Sequence, residues 1–284
     1  MIEFRPIMLE DAEWINRCRD IEKNPFSALT FQSLYTWQRE YGLTIAGDDD
    51  FFVIRSVENQ GYFAPCGDGE KCRRFLQEAF KREGKQRVLY LTEEQAEMAV
   101  SDGYRMEKAP YLSEYICSTP ALALKSGHVS ATYRKKCRRF AEKFPYTVKR
   151  IEPEDIRELL GVIEDWEREF GDKEPLDLDA ARLSLENFDA LGLRGIMLRT
   201  NEEVMIAFSF GFESTPDIYT MSTVKYDRRL SASVTVVCTH EEARLVAKDY
   251  PFCNLEEDLG LKGLRDAKLQ CAPVAMNEVF MIEK

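Results

Sequence analysis

The chain has 284 residues, 44% of them hydrophobic and 31% charged, and carries a formal net charge of −11. That balance fits a soluble globular protein of about two domains. It opposes a general nucleic-acid binder, whose phosphate contacts need Lys and Arg, and no apolar run approaches the roughly 20 residues that cross a bilayer.

In chain order, the first half opens with a strand, IEFRPIM, then helical stretches LEDAEWINRCRD and TFQSLYTWQREYG, the second packing Phe31, Leu34 and Trp37 into the core. Three short strands follow, LTIAG, FFVIRS and GYFAP. The helix EKCRRFLQEAFKREG is apolar at 72, 75, 76, 79 and 80, one buried face, and Gly84 stops it. RVLYL reads as a buried strand, and TEEQAEMAVSDG as a helix in which Thr92 and Gln95 have capping-box spacing. GYRMEKA and SEYICST read as closing strands.

The second half repeats the order. Strand TVKRI leads to EPEDIRELLGVIEDWEREFG, with an apolar stripe at 156, 159, 160, 163, 166 and 170, and to the helical DLDAARLSLENFDALG. Strands RGIMLRT, EVMIAFSFGFE and DIYTMSTV precede a long helix from about Ser231 to Ala247. Strand FCNLEE, short helix LKGLRDAK and strand NEVFMIE end the chain.

Strand, two helices, three strands, helix, strand, helix, strand is similar to the GCN5-related N-acetyltransferase (GNAT) fold, met twice. The expected architecture is α/β (α+β), two tandem GNAT-like domains with mixed central sheets, at 1–124 and 125–284. In that fold two central parallel strands splay apart, and a phosphate-bearing donor binds where strand four meets the next helix, whose N-terminal amides attract anions. The junction reads APCGDGEK in the first half and DRRLSASV in the second. Gly67 and Gly69 let the backbone approach a phosphate, but Asp68 and Glu70 repel one, so a turn and helix cap is expected there. Arg228 and Arg229 beside Ser231, Ala232 and Ser233 make the better donor site.

The N-terminal MIEFRPIMLE lacks a basic segment followed by an apolar one, so no secretory signal is read and the eight cysteines are expected in a reducing cytoplasm. None forms a CxxC pair and His128 and His240 are the only histidines, so neither a metal site nor a histidine-based hydrolase is expected. Between Tyr133 and Arg150, eight basic residues stand against one acid, a local anion-binding patch within an acidic chain.

The stretch NLEEDLGLKGLRDAKLQCAP at 254–273, with GHVSATYRKKCRRF at 127–140 and FQSLYTW at 31–37, resembles an uncharacterised bacterial family related to the C-terminal domain of phosphatidylglycerol lysyltransferase (DUF2156-like). The family pattern Asn-Arg-Glu-x-Asp-x-Gly, then Gly-Leu-Arg-x-x-Lys, falls on Asn254, Glu256, Asp258, Gly260, Gly263, Leu264, Arg265 and Lys268, with Leu255 in the Arg position. A second pattern keeps Gly127, Arg134 and Phe140, with Lys135 in the Asn position. Where the family has His-x-Glu-Lys-Ala-Asp and then Arg-Gly, STVKYDRRLSAS keeps Lys225 and Asp227, while Ser222, Val224, Ser231 and Ala232 replace His, Glu, Arg and Gly.

The resemblance implies a relative of enzymes that move an aminoacyl group from tRNA to an amine or hydroxyl. In such chemistry the acceptor must lose a proton to attack, and a carboxylate accepts it or holds the ammonium. Glu256 and Asp258, two apart and on one face of an extended segment, are the catalytic candidates. Asn254, Arg265, Lys268, Lys225, Asp227, Arg228, Arg229, Ser231 and Arg134 are the candidates for binding donor or substrate. The expected donor is aminoacyl-tRNA, held through 134–150, or acyl-CoA, with a small-molecule or peptide acceptor and no membrane insertion. An acyl-CoA-dependent N-acetyltransferase and a non-catalytic ligand- or partner-binding tandem are the alternatives.

Overall fold

The computed structural model describes residues 3–83, 86–125, 127, 129–170 and 177–283; Gly84 and His128 lie outside the described residues. In order, the elements are α1 (Ala12–Glu22), α2 (Phe31–Tyr41), β1 (Leu43–Asp48), β2 (Phe51–Ser56), β3 (Gly61–Phe63), β4 (Cys66–Gly67), α3 (Gly69–Glu83), β5 (Arg87–Leu91), α4 (Glu93–Ser101) and β6 (Arg105–Lys108). There follow β7 (Glu114–Ser118), α5 (Thr119–Leu124), α6 (Ala131–Lys143), β8 (Tyr146–Arg150), α7 (Ile156–Phe170), α8 (Leu178–Glu186), β9 (Arg194–Thr200), β10 (Met205–Thr215) and β11 (Ile218–Tyr226). The chain ends with α9 (Ser233–Val246), β12 (Phe252–Asn254), α10 (Lys262–Gln270), β13 (Ala275–Asn277) and β14 (Phe280–Glu283).

Local chemistry sets the helix limits. Thr30 Oγ1 accepts from the Ser33 amide at 3.2 Å to start α2, and Gly42, at φ 56°, ends it. At α4 the capping box closes both ways: Gln95 N donates to Thr92 Oγ1 at 3.3 Å, and Thr92 N to Gln95 Oε1 at 2.8 Å. Among the described residues of the opening stretch no strand forms, and Arg5 alone bridges Ile45.

Two compact units result, Met1–Glu114 with Asn277–Lys284, and Tyr115–Met276. The first sheet runs β1-β2-β3-β5-β14-β6, with β4 on β2, and its parallel pair is β3 with β5. The second runs β13-β7-β12-β11-β10-β9-β8, and its parallel pair is β11 with β12. Both sheets are mixed, and the architecture is GNAT-like.

The closing strands differ from the sequence reading. SEYICST is β7 of the second sheet, where Cys117 faces Cys253, and the C-terminal β14 returns to the first, where Ile282 lies between Val88 and Met106. The units accordingly part at Glu114/Tyr115, where the sequence reading drew the division at 124/125. Element order identifies a strand without saying which sheet it completes, and two short apolar runs fit either slot.

In the second unit, α9 packs on β9, β10 and β11 with α5 and α6 beside it, burying Val234, Val237, Cys238, Ala243 and Val246 completely. Ala207 of β10 faces this helix, so its neighbour Phe208 points to the other face, where Trp166 of α7 stacks on it at 6.0 Å. All eight cysteines are free and buried, small residues of the two cores. No helix among the described residues is long and apolar enough to cross a membrane.

Candidate active site at the parting of two strands

The parallel pairing of β11 with β12 covers three residues, Ile218 with Phe252, Tyr219 with Cys253 and Thr220 with Asn254. Beyond them β11 continues along β10 as far as Tyr226, while the chain after β12 stays on β7, the Leu255 amide donating to Tyr115 O at 2.9 Å. The strands therefore diverge. Ser222–Tyr226, half-buried at every position rather than alternating, form one side, and the acidic segment after Asn254 forms the other.

That segment is two successive turns, each made by a side chain folding onto its own backbone. Buried Asn254 accepts the Glu256 amide at 2.7 Å through Oδ1, and Asp258 accepts the Gly260 amide at 2.8 Å through Oδ1, the turn habit of Asn and Asp. Glu256, Leu259 and Gly260 take left-handed φ of 59°, 51° and 76°. The segment is thus not extended, and the one-face relation expected of Glu256 and Asp258 does not hold. Asn-x-Glu and Asp-x-Gly are here the two turns spelled out, with Gly260 at the position where a side chain costs most.

Asp258, 1% exposed, is held by four donors: Tyr115 Oη at 2.6 Å, Arg265 Nε at 2.8 Å, Arg265 Nη2 at 3.1 Å and the Gly260 amide. The Arg265 hydrogen bonds, against the opposing effect of burial, bring its carboxyl down to about 2. A carboxylate so held is fully charged at neutral pH and a weak proton acceptor. One helical turn on, Lys268 donates to Leu255 O at 2.5 Å and to Glu257 O, and sits over the Tyr115 ring. Arg265 and Lys268 thus brace the turns from α10, whose first turn carries no acid of its own. Glu256 stands half-buried at the crest of the first turn.

Across the cleft, the β11–α9 junction is tied to itself. Asp227 accepts from Arg229 Nε at 2.8 Å, Nη2 at 2.7 Å and the Arg229 amide at 3.0 Å, and this partner lowers its carboxyl below the ordinary range. Arg228 lies over the Tyr226 ring at 4.8 Å, and Lys225, 14% exposed, is 3.9 Å from Asp177. Ser231 Oγ accepts from the Ser233 amide at 3.3 Å, and Ser231 O from Val234 N at 3.0 Å, so the leading amides of α9 are engaged within their own turn. In the first unit, Asp68 caps α3 by accepting from Lys71 N at 2.9 Å, and Gly67 at φ 125° leaves room for Asp50 O, which a Cβ would meet at 2.1 Å.

Arg134 turns back along α6 to donate to Val129 O at 2.5 Å. Tyr133, Cys137 and Phe140 are the buried stripe of that helix, so Lys135, Arg138, Arg139 and Lys143 face outward, with Lys149 and Arg150 exposed on the edge strand β8. The sequence reading missed Tyr115. It sits 143 residues before Asp258 in an apolar strand, and no local pattern signals its role.

Two mixed sheets, each with one such pair of parallel strands, define a tandem GNAT-like fold. The chain belongs to the phosphatidylglycerol lysyltransferase C-terminal family, whose model matches residues 21–283. A conserved protein of unknown function from Bacteroides thetaiotaomicron superposes with a TM-score of 0.83 at 26% identity, covering 100% of this chain and 99% of that one. The C-terminal domain of a candidate lysylphosphatidylglycerol synthetase from Agrobacterium fabrum gives 0.70 at 16% identity, over 96% and 92%. L-PGS from Bacillus licheniformis gives 0.68 at 15%, over 99% and 93%. No curated protein matches the chain.

Proposed function

We propose that the second unit transfers an aminoacyl group from aminoacyl-tRNA to an amine or hydroxyl acceptor in the cleft between β11 and β12. The observation that carries this reading is the parting of those strands after Thr220 and Asn254 beside a braced turn that presents Glu256. Family membership supports the transferase class.

In this reading the acceptor nitrogen or oxygen attacks the ester carbonyl, the bond from that carbon to the terminal ribose oxygen of the tRNA breaks, and the ribose leaves as a hydroxyl. Glu256 takes the proton that the acceptor loses and returns it to the leaving oxygen, so no net charge is created. Asp258 does not take the proton; with Tyr115, Arg265 and Lys268 it fixes the turn on which Glu256 stands, since a base must be placed before its basicity counts. The outward cations of α6 hold the tRNA backbone.

An acyl-CoA donor is less favoured, because a phosphate needs unengaged helix amides and cations. The first α9 amides bond within their own turn, and Arg229 is committed to Asp227.

The test incubates the full chain with radiolabelled aminoacyl-tRNA and a panel of amine and hydroxyl acceptors, and follows label leaving the tRNA. Transfer that disappears in Glu256→Gln at unchanged thermal stability supports the reading. Transfer from acyl-CoA alone moves the donor assignment, and binding without transfer of any donor leaves a non-catalytic module.

A further inference from the structure

The two walls of the cleft in the second unit carry complementary groups. Asp227 N donates to Ile206 O at 3.0 Å, and the register runs unbroken from there back to Thr223 opposite Phe210, so Thr223, Lys225 and Asp227 turn their backbone groups toward β10. The intervening Val224 and Tyr226 turn theirs toward the side that β12 has left. Just before them the ladder slips between Phe210 and Gly211, with Ser222 the extra residue on β11. A backbone amide at Val224 thus faces the cleft from one wall, and the turn that presents Glu256 forms the other.

Both walls are wet. Each residue from Ser222 to Tyr226 is half-buried, as are Glu256 and Glu257, and beyond them Leu259 and Leu261 are 48% and 56% exposed. None of the residues of α10 is buried, so the helix that braces the turn stands open to solvent along its length. A transferase that passes an activated acyl group to its acceptor alone keeps water from the reacting carbonyl. Among the described residues this cleft has no such seal, and a base placed to take a proton from a hydroxyl acceptor takes one equally from water.

We propose, resting on the transfer reading, that the same cleft hydrolyses aminoacyl-tRNA when no acceptor is bound. A water oxygen attacks the ester carbonyl carbon, and the bond from that carbon to the terminal ribose oxygen breaks. One proton of the water passes through Glu256 to the ribose oxygen, so the products are the free amino acid and uncharged tRNA. The Val224 amide donates to the carbonyl oxygen as charge develops on it. An amine or hydroxyl acceptor in the cleft displaces the water, so transfer and hydrolysis draw on one pool of donor.

The test incubates the full chain with tRNA carrying a radiolabelled amino acid, alone and with the acceptor panel of the transfer assay, and separates free amino acid from acceptor conjugate. Without acceptor, free amino acid is expected to appear at least about a hundred-fold faster than from the charged tRNA by itself. Glu256→Gln, purified identically and with unchanged melting temperature, is expected to return release to within a few-fold of that spontaneous rate. Conjugate formed with an acceptor, but release at the spontaneous rate without one, overturns the proposal and leaves the transfer reading standing; neither conjugate nor release overturns both. Release that Glu256→Gln does not slow overturns it as well, because the hydrolysis then occurs elsewhere. Should Glu256→Gln fail to fold, Glu256→Asp keeps the charge and draws the carboxylate back by one methylene. That variant is expected to release amino acid at least about ten-fold more slowly, and an unchanged rate overturns the proposal equally.

Discussion

The Tyr115 phenol donates to the Asp258 carboxylate at 2.6 Å, joining β7 to a turn that begins 143 residues later in the chain. With Arg265 on the same carboxylate, the contact turns an acidic loop into a fixed platform. Its energetic consequence depends on pH. The folded carboxyl sits at about 2, below its ordinary value, so its stabilising contribution is present above the ordinary carboxylate range and is lost as pH falls toward 2. The loss should be on the order of 2 kcal/mol. Denaturant titrations from pH 6 to pH ~2 should show an acid limb that Asp258→Asn flattens; an identical limb in the variant would exclude Asp258 as its source.

Tyr115→Phe keeps the packing and removes one of four donors. A stability loss of about 1 kcal/mol is expected, because Arg265 and the Gly260 amide still satisfy the carboxylate. Transfer should fall further than stability does, since the turn carrying Glu256 loosens. Equal activity per folded molecule in variant and wild type would limit Tyr115 to a purely stabilising part.

Glu242 of α9 is completely buried, and burial pushes its carboxyl up to about 8. Tyr219 Oη donates to Arg194 O at 2.7 Å and to Glu242 Oε1 at 3.1 Å, which opposes the rise without cancelling it. For an acid with a raised folded pKa, the unfolded chain ionises first. Stability is then full below the ordinary carboxylate range and declines as pH rises to about 8. Glu242→Gln should remove this slope, gaining stability over wild type by a few kcal/mol at pH ~8.5 and little at pH ~4. Chemical denaturation across that range measures the crossover, and parallel curves would refute a buried neutral acid.

How much of this was legible beforehand follows from the range of each interaction. The cap at Thr92 and the apolar stripe of α7 are set within a few residues, and the sequence reading placed those helices accordingly. The Asn254–Lys268 cluster was also visible, through the family pattern it resembles, but its two side chain to backbone turns were read as an extended segment. The partners of the cluster were not. Tyr115 reaches Asp258 only because β7 joins the second sheet, and β14 completes the first sheet from the far end of the chain. An acidic run looks alike in sequence whether its carboxylates are catalytic or, like Asp258, saturated by donors within the fold.

If tRNA is held by α6, affinity should decline linearly with the logarithm of salt concentration, because each phosphate contact releases counterions. Lys135→Ala, Arg138→Ala and Arg139→Ala lie on the exposed side of the helix, away from buried Tyr133, Cys137 and Phe140, so stability should stay within about 0.5 kcal/mol. Each contact removed should weaken tRNA binding at low salt and reduce the magnitude of the slope by about 1. Arg134→Ala should behave differently. Its guanidinium is bonded to Val129 O, so its loss loosens the start of α6 and shows in thermal stability rather than in the salt slope. Filter binding of charged tRNA across a salt series separates the cases, and slopes unchanged in all three outward variants would place the tRNA elsewhere.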